Sequence, residues 1–166
     1  MSIPDGAALW RHPWPYARPA RRHGDHQQGV TAFKPMTRGG EWTTETVWAT
    51  KDVSMYISNP VVIADTLFGL SHLASGQFFA IDAATGKTLW LGSPREAKNT
   101  AVVKAGDLLL LLNDDAELIV ARSSPTEFEP LKRYTVADSP TWAQPAISGN
   151  RIFVKDVSSL TLWSLD

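Results

Sequence analysis

From about residue 45 onward, the chain consists of short apolar runs separated by turn-forming residues. Val61–Ile63, Thr66–Leu70 and Gln77–Ile81 each have the length and composition of a β-strand, and the gaps around them hold Gly, Asp, Asn or Ser. No long stretch shows the spacing of apolar residues that is typical of a helix. The pattern therefore predicts an all-β protein.

These runs recur along the chain. Pro60, Ala101 and Pro145 each begin a unit of strand, two-residue turn and strand, and they lie 41 and 44 residues apart. The third strands of the units also align, as Gln77–Asp82, Glu117–Arg122 and Leu160–Asp166. A repeat of this length with four antiparallel strands is the signature of a β-propeller blade. We therefore expect about three to four blades.

Some of the runs are apolar without interruption. In a propeller each sheet is stacked between two others, so its middle strands are buried on both faces and do not alternate between polar and apolar residues. Leu108–Leu112 and Val61–Ile63 have this pattern. We expect both runs to be buried.

The composition narrows the class of protein. The 166 residues carry a net charge of −1 and are 43 % hydrophobic, which is typical of a globular domain rather than a disordered one. The absence of cysteine excludes disulfides, thiolate nucleophiles and cysteine metal ligands. No apolar run is long enough for a membrane-spanning helix, and the first residues lack the pattern of a signal peptide.

One turn carries a recognisable motif. In the segment from Asp82 to Trp90, an aspartate ends the third strand, Thr85-Gly86 forms a turn, and Leu89-Trp90 lies in the fourth strand. Gly86 suits a turn that needs a positive φ, and the Asp82 carboxylate can cap such a turn. The motif resembles the repeat of the pyrroloquinoline-quinone (PQQ) propeller family. The resemblance covers about residues 29 to 166.

The resemblance implies a β-propeller, typically of seven or eight blades, in which Trp48 and Trp90 dock between adjacent blades. The family includes quinoprotein dehydrogenases and a non-enzymatic scaffold of outer-membrane protein assembly, and it suggests an exported or periplasmic protein. The dehydrogenases use a vicinal cysteine disulfide, which this chain cannot form, and no segment matches their calcium ligands or catalytic aspartate. We therefore predict no cofactor, no metal and no catalytic residue.

The two ends of the chain leave the number of blades open. Residues 1–28 are rich in proline and basic residues and are predicted to be irregular, whereas residues 29–166 form the blades, beginning with strands in Gly29–Lys34 and Thr44–Trp48. Gly6–Trp10 has the Gly-x-x-Leu-Trp spacing of Gly86–Trp90, and as a closing strand it would complete the last blade of a four-blade ring. Alternatively, the chain is about half of a larger propeller and forms a homodimer through open blade edges.

Four further features have a functional and a structural interpretation, and we favour the structural one for each. His23-Gly24-Asp25-His26 is a loop rather than a metal site, and Asn113–Glu117 is a hairpin turn rather than a calcium loop. Trp142 packs beneath the first strand of its blade rather than stacking on a ligand. The basic residues form a solvated segment rather than a nucleic-acid site, and they are Arg11, Arg18, Arg21, Arg22, Lys34 and Arg38.

The sequence thus predicts a non-catalytic propeller domain that serves as a protein-interaction module or scaffold. Two alternatives remain open at this point. The chain is a fragment of a quinone-dependent oxidoreductase, or it binds a small ligand or a sugar through Trp142 and neighbouring aromatic residues. A fold of this kind hosts many functions, so it does not identify the partner.

Overall fold

A computed structural model describes residues 9–11 and 29–164, and β-strands make up nearly all of the regular structure in this part of the chain. Sheet I contains β1 (Leu9–Arg11), β2 (Val30–Arg38) and β3 (Glu41–Thr50). Sheet II contains β4 (Val61–Ile63), β5 (Thr66–Ser71), β6 (Gln77–Asp82) and β7 (Thr88–Pro94). Sheet III contains β8 (Thr100–Ala105), β9 (Leu108–Asn113), β10 (Glu117–Arg122) and β11 (Glu129–Thr135). Sheet IV contains β12 (Ala146–Ser148), β13 (Arg151–Lys155) and β14 (Leu160–Ser164).

Each sheet is antiparallel, and its strands lie side by side in the order of the sequence. The connections within a sheet are short because neighbouring antiparallel strands need only a tight turn. Sheets II and III have the four strands of a complete blade, which confirms the predicted all-β fold of blade repeats. No helix in the described ranges is long and apolar enough to cross a membrane.

The sheets are held together by hydrophobic clusters that lie between them. Strand β9 contributes to two clusters at once, because Leu109 and Leu111 pack toward sheet II while Leu110 and Leu112 pack toward sheet IV. Strand β5 behaves in the same way, since Leu67 faces sheet I and Phe68 faces sheet III. The expectation that Leu108–Leu112 is buried on both faces is therefore confirmed for its last four residues.

The same expectation was wrong for Val61–Ile63. The Val62 side chain is 39 % exposed, and its two neighbours are only partly buried. These residues form β4, which pairs with β5 on one side and is the edge strand of sheet II. An edge strand has one side that no strand covers, so apolar composition alone did not distinguish it from a middle strand.

The sequence suggested that Gly6–Trp10 pairs with the last blade as a closing strand, and the structure gives a different pairing partner. Strand β1 pairs with β2, with Leu9 opposite Phe33 and Trp10 opposite Ala32, and it does not pair with sheet IV. It therefore occupies in sheet I the position that β5 occupies in sheet II. The physical reason is that the buried part of β2, at Val30 and Ala32, needs backbone hydrogen-bond partners on both of its edges.

The hairpin of β2 and β3 is longer than the sequence predicted. Its turn is Gly39-Gly40, where both residues have positive φ, and its strands pair from Arg38 opposite Glu41 back to Val30 opposite Thr50. The part near the turn is mostly exposed, including a Trp42 side chain that is 79 % exposed. The hairpin thus extends beyond the packed body of the sheets.

Candidate functional site

The motif residues Trp48, Asp82 and Gly86 meet at the junction of sheets I and II. The Trp48 indole Nε1 donates a hydrogen bond of 3.0 Å to the carbonyl oxygen of Ala83, the residue that follows Asp82. Gly86 has a φ of +77°, and a Cβ atom at this position would lie 2.5 Å from the Trp48 ring. The turn after β6 therefore forms the packing site for the tryptophan of the preceding sheet.

The Asp82 carboxylate holds this turn in shape. Its Oδ1 accepts hydrogen bonds from the backbone N–H of Ala84 at 3.1 Å and from both the N–H and the hydroxyl of Thr85 at 2.8 Å. The hydrogen bonds from Thr85, followed by that from Ala84 and the charge of Lys87, lower the pKa of Asp82 below its ordinary value of 3.8, although burial opposes them. The Asp82 carboxylate therefore stabilises its own turn through these hydrogen bonds.

Replacing Asp82 by asparagine is expected to lower the melting temperature most at neutral pH. The folded-state pKa of Asp82 is depressed, so its contribution to stability is present above pH 3.8 and is lost as the pH falls through the lowered value. The melting temperatures of the wild type and Asp82→Asn should therefore converge in acid. Asp65→Asn, at an exposed position in the turn between β4 and β5, is the control. A difference that stays constant with pH would contradict this assignment.

Trp90 forms the equivalent contact at the junction of sheets II and III. Its Nε1 donates a 2.9 Å hydrogen bond to the carbonyl oxygen of Ser124, in the turn that follows β10. Its ring lies 6.2 Å from that of Phe68 and 5.9 Å from that of Phe128, measured between centroids. Tyr134 of β11, 44 residues after Trp90, is 50 % exposed. The four motif residues thus lie at packing junctions between sheets.

The loops divide into two groups because successive strands alternate in direction. One end of the sheets holds the connections between sheets and the turns between second and third strands; we call it the Trp142 end. It contains residues 54–60, 72–76, 95–99, 114–116, 136–145 and 156–159. The opposite end holds the other turns, at residues 39–40, 64–65, 83–87, 106–107, 123–128 and 149–150.

The two ends differ in exposed hydrophobic side chains. Tyr56, Ile57, Trp142 and Val157 lie on loops of the Trp142 end, and they are 42 %, 48 %, 59 % and 71 % exposed. The turns of the opposite end carry none of the exposed large hydrophobic residues found in the described chain, and the exposed Trp42 near that end lies in strand β3 of the protruding hairpin. Exposed hydrophobic side chains that gather on the loops of one end are candidates for a binding surface. We take the Trp142 end as the candidate functional site.

The backbone beside Trp142 is held firmly against sheet III. The buried Thr141 donates its N–H to the Asp114 carbonyl oxygen at 3.1 Å and its hydroxyl to the Asn113 carbonyl oxygen at 2.6 Å. This small polar residue occupies the buried position, so the Trp142 side chain is directed outward. The expectation that Trp142 packs beneath the first strand was therefore wrong.

The other exposed groups of this end are also anchored. The Tyr56 ring makes an edge contact with the ring of His72, with the centroids 6.3 Å apart, directly after the end of β5. The Val157 N–H donates a 3.2 Å hydrogen bond to the Ser139 hydroxyl. Anchored backbones lower the entropy cost of ordering these side chains when a partner binds.

A polar network lies in sheet III at this end. The fully buried Asn113 accepts a hydrogen bond from the Thr100 hydroxyl and donates one to Glu117, which forms an ion pair with Arg133. Arg133 also pairs with Glu96 at 3.0 Å. Burial alone would lower the pKa of Arg133, but its hydrogen bonds with the two glutamates outweigh burial and raise it. The network fixes the geometry of the turn from Asn113 to Glu117.

The Asn113–Glu117 segment, another of the predicted sites, is resolved by this geometry. Asn113–Glu117 joins β9 to β10 as the predicted turn, and the Asp114 carboxylate accepts two backbone N–H groups, from Lys98 and Asn99. Within the described residues, no group of three or more His, Cys, Asp or Glu side chains is arranged to hold a metal ion. The segment from His23 to His26 lies outside the described residues, as do Arg18, Arg21 and Arg22.

Sequence reasoning missed Tyr56, Ile57 and Val157. The repeat contains a signal for one of them, because Ile57 and Trp142 both lie three residues before the proline that begins a unit, at Pro60 and Pro145. Such equivalent positions in a propeller lie at the same end of successive sheets. An alignment extended upstream of each proline would have paired the two side chains.

Comparison with known proteins gives a likeness in structure. No protein-family model and no curated protein matches this sequence. BamB from Moraxella catarrhalis is similar with a TM-score of 0.59 and 14 % sequence identity, and the match covers 81 % of this chain and 43 % of the BamB chain. The computationally designed protein Ika8 matches with a TM-score of 0.43 and 10 % identity, over 86 % of this chain and 57 % of its own.

The identity with BamB is low, so the likeness concerns the fold. This chain spans less than half the length of the BamB chain. The consecutive four-stranded antiparallel sheets and the clusters between them agree with that similarity. The described residues thus form a partial β-propeller of the type seen in BamB, which confirms for the fold the resemblance that the sequence indicated.

Proposed function

We propose that this chain is a non-catalytic propeller segment that binds a protein partner through the Trp142 end. The observation that carries the proposal is the asymmetry between the two ends of the sheets. Tyr56, Ile57, Trp142 and Val157 are exposed on the loops of one end. The turns of the opposite end carry no comparable group among the described residues, and the exposed Trp42 near that end stands alone on the protruding hairpin.

The chemistry of this end fits a protein partner. Tryptophan and tyrosine contribute strongly to protein interfaces because they bury a large area and have few rotatable bonds. Polar and charged groups lie on the same end, including Asp115 in the turn between β9 and β10 and Lys98 in the connection that precedes β8. Apolar anchors around a polar turn are suited to a peptide segment with hydrophobic side chains.

Replacing Trp142 by alanine is expected to weaken peptide binding by at least about tenfold, because loss of an aromatic anchor costs more than about 1.4 kcal/mol. The probe is a displayed library of random peptides, selected first on the wild-type chain. The peptides that are enriched should share hydrophobic positions. Their Kd is then measured on the wild type and on Trp142→Ala by biolayer interferometry.

Trp42→Ala is the matched control, because Trp42 is also an exposed tryptophan but lies on the hairpin of sheet I, away from the Trp142 end. Its peptide affinity should equal that of the wild type. Selection of no peptide, or equal loss of affinity in both variants, would rule out the Trp142 end as the binding surface.

A further inference from the structure

The loops around Trp142 are acidic. Trp142 lies in the connection from β11 to β12, at residues 136–145, and the turns that contact this connection are residues 114–116 and 156–159. These three loops contain no lysine or arginine, and their four acidic residues are Asp114, Asp115, Asp138 and Asp156. The loops at residues 54–60 and 72–76, which carry Tyr56 and Ile57 or adjoin them, contain no Asp, Glu, Lys or Arg. The charge of the Trp142 end is therefore concentrated on the side of Trp142.

Hydrogen bonds hold the acidic loops against the segment that carries Trp142. Thr141, the residue before Trp142, donates to the carbonyl oxygens of Asn113 and Asp114. On the other side, the Val157 N–H donates to the hydroxyl of Ser139, the residue after Asp138. The acidic side chains are thus carried on backbone that adjoins the Trp142 segment, and binding of a partner at Trp142 brings it close to them.

The negative charge of these loops is not neutralised within the part of the chain that the structure describes. None of the four carboxylates forms an ion pair there. Lys155 directs its ammonium group to the carbonyl oxygens of Asp156 and Val157. Asp115 and Asp138 are both exposed. A cation supplied by a partner therefore finds carboxylates that no arginine or lysine of the described residues already pairs with.

Two of the carboxylates serve their own chain, and two remain for a partner. Asp114 accepts two backbone N–H groups. For Asp156, the hydrogen bond from the Ser159 N–H and weaker ones from neighbouring serines lower the pKa below its ordinary value of 3.8, although burial opposes them. Asp156 is therefore ionised at neutral pH. The exposed pair, Asp115 and Asp138, is the part of the acidic surface that a partner can reach.

We propose that the Trp142 end binds a basic segment of a protein partner, with a lysine or arginine side chain over the Trp142 ring and near the carboxylates of Asp115 and Asp138. This inference rests on the proposed function. A cation is attracted to the face of an indole ring, and the apolar stem of lysine or arginine packs on the same surface. Hydrophobic residues of the same segment then contact Tyr56 and Ile57, whose loops carry no charge.

Two basic residues of this end restrict where the cation of the partner can bind. Arg95 and Lys98 are exposed in the connection between β7 and β8, which lies between the loops of Ile57 and Trp142. Like charges brought together at an interface weaken binding. A basic side chain of the partner is therefore favoured at Trp142 and disfavoured next to Lys98, which orients the bound segment across the Trp142 end.

Charge reversal at the exposed pair tests the proposal. Peptides selected on the wild-type chain from a random displayed library should be enriched in lysine or arginine. The double variant Asp115→Lys, Asp138→Lys should raise their Kd by at least about tenfold, with much of the change in the association rate. Synthetic versions of these peptides with glutamate in place of each basic residue should show the reverse preference and bind the double variant more tightly. Biolayer interferometry measures both.

The double variant Asp65→Lys, Asp107→Lys is the matched control. It makes the same change in net charge at two exposed turns of the opposite end, so its Kd for the selected peptides should remain close to that of the wild type. Circular dichroism checks that each variant is folded. Asp115→Asn, Asp138→Asn keeps the side-chain oxygen that accepts the Glu117 N–H, and it should give a smaller loss, about threefold.

The outcomes separate this proposal from the proposed function. Selected peptides without basic residues, or equal affinity for the two lysine variants, would overturn the basic partner. If Trp142→Ala still weakened binding in that case, the Trp142 end would remain the binding surface. Selection of no peptide would overturn both.

Discussion

Replacing Gly86 by alanine is expected to lower the free energy of unfolding by about 2 to 5 kcal/mol. The positive φ of +77° costs a non-glycine residue about 1 to 2 kcal/mol. The added methyl group would also lie 2.5 Å from the Trp48 ring, and overpacking of this kind typically costs about 1 to 3 kcal/mol more. Urea unfolding monitored by tryptophan fluorescence measures the change.

Gly106 provides a control for this prediction. It has a similar φ of +66°, but a Cβ atom added there would meet nothing within 4 Å. Gly106→Ala should therefore show the backbone cost alone, about 1 to 2 kcal/mol. Equal losses in the two variants would mean that the contact between Gly86 and Trp48 contributes nothing to the junction of sheets I and II.

Replacing Trp90 by alanine is expected to destabilise the protein by about 3 kcal/mol or more. The change removes a large aromatic side chain that packs against Phe68 and Phe128, and it leaves the Ser124 carbonyl oxygen without the indole donor. Because Trp90 belongs to sheet II and Ser124 follows β10 of sheet III, the substitution weakens the packing between these two sheets. Urea unfolding gives the size of the effect.

Two further variants separate the causes. Trp90→Phe keeps an aromatic ring and loses the indole N–H, so it should cost less than alanine and report mainly the hydrogen bond to Ser124. Trp42→Ala, at an exposed site, should change the stability by no more than about 0.5 kcal/mol. A Trp90→Ala variant as stable as Trp42→Ala would show that Trp90 does not hold the two sheets together.

The repeat and the four-stranded blades could be predicted because the relevant signals are local. Strand β9 is uninterrupted leucine, and its turns contain Gly106-Asp107 and the Asn113–Glu117 segment, so length, burial and reversal are all visible in one stretch. Val61–Ile63 was misjudged because the exposure of an edge strand depends on which strands lie beside it. Gly6–Trp10 was misplaced because a match of glycine and tryptophan spacing does not specify a pairing partner.

The junctions were more predictable than the binding surface. Asp82, Gly86 and Trp90 belong to one motif whose turn chemistry is visible in the sequence. The geometry places Gly86 and Trp90 at contacts between sheets, and Asp82 holds the turn that Trp48 contacts. Trp142 was expected to be buried because tryptophan usually is, yet the adjacent Thr141 occupies the buried site. Which of two neighbouring residues points inward depends on hydrogen bonds to β9, and these come from a distant part of the chain.

The alternation of β9 between two clusters has a consequence for how its alignment is encoded. In a sheet with one solvent-exposed face, shifting the pairing register of a strand by one residue would expose all of its apolar side chains. In β9 such a slip would only exchange one set of leucines for another, since Leu109–Leu112 meet apolar groups on both sides. The alignment of β9 is therefore fixed by its short turns and by the polar residue at its end, Asn113, whose side chain accepts a hydrogen bond from the Thr100 hydroxyl.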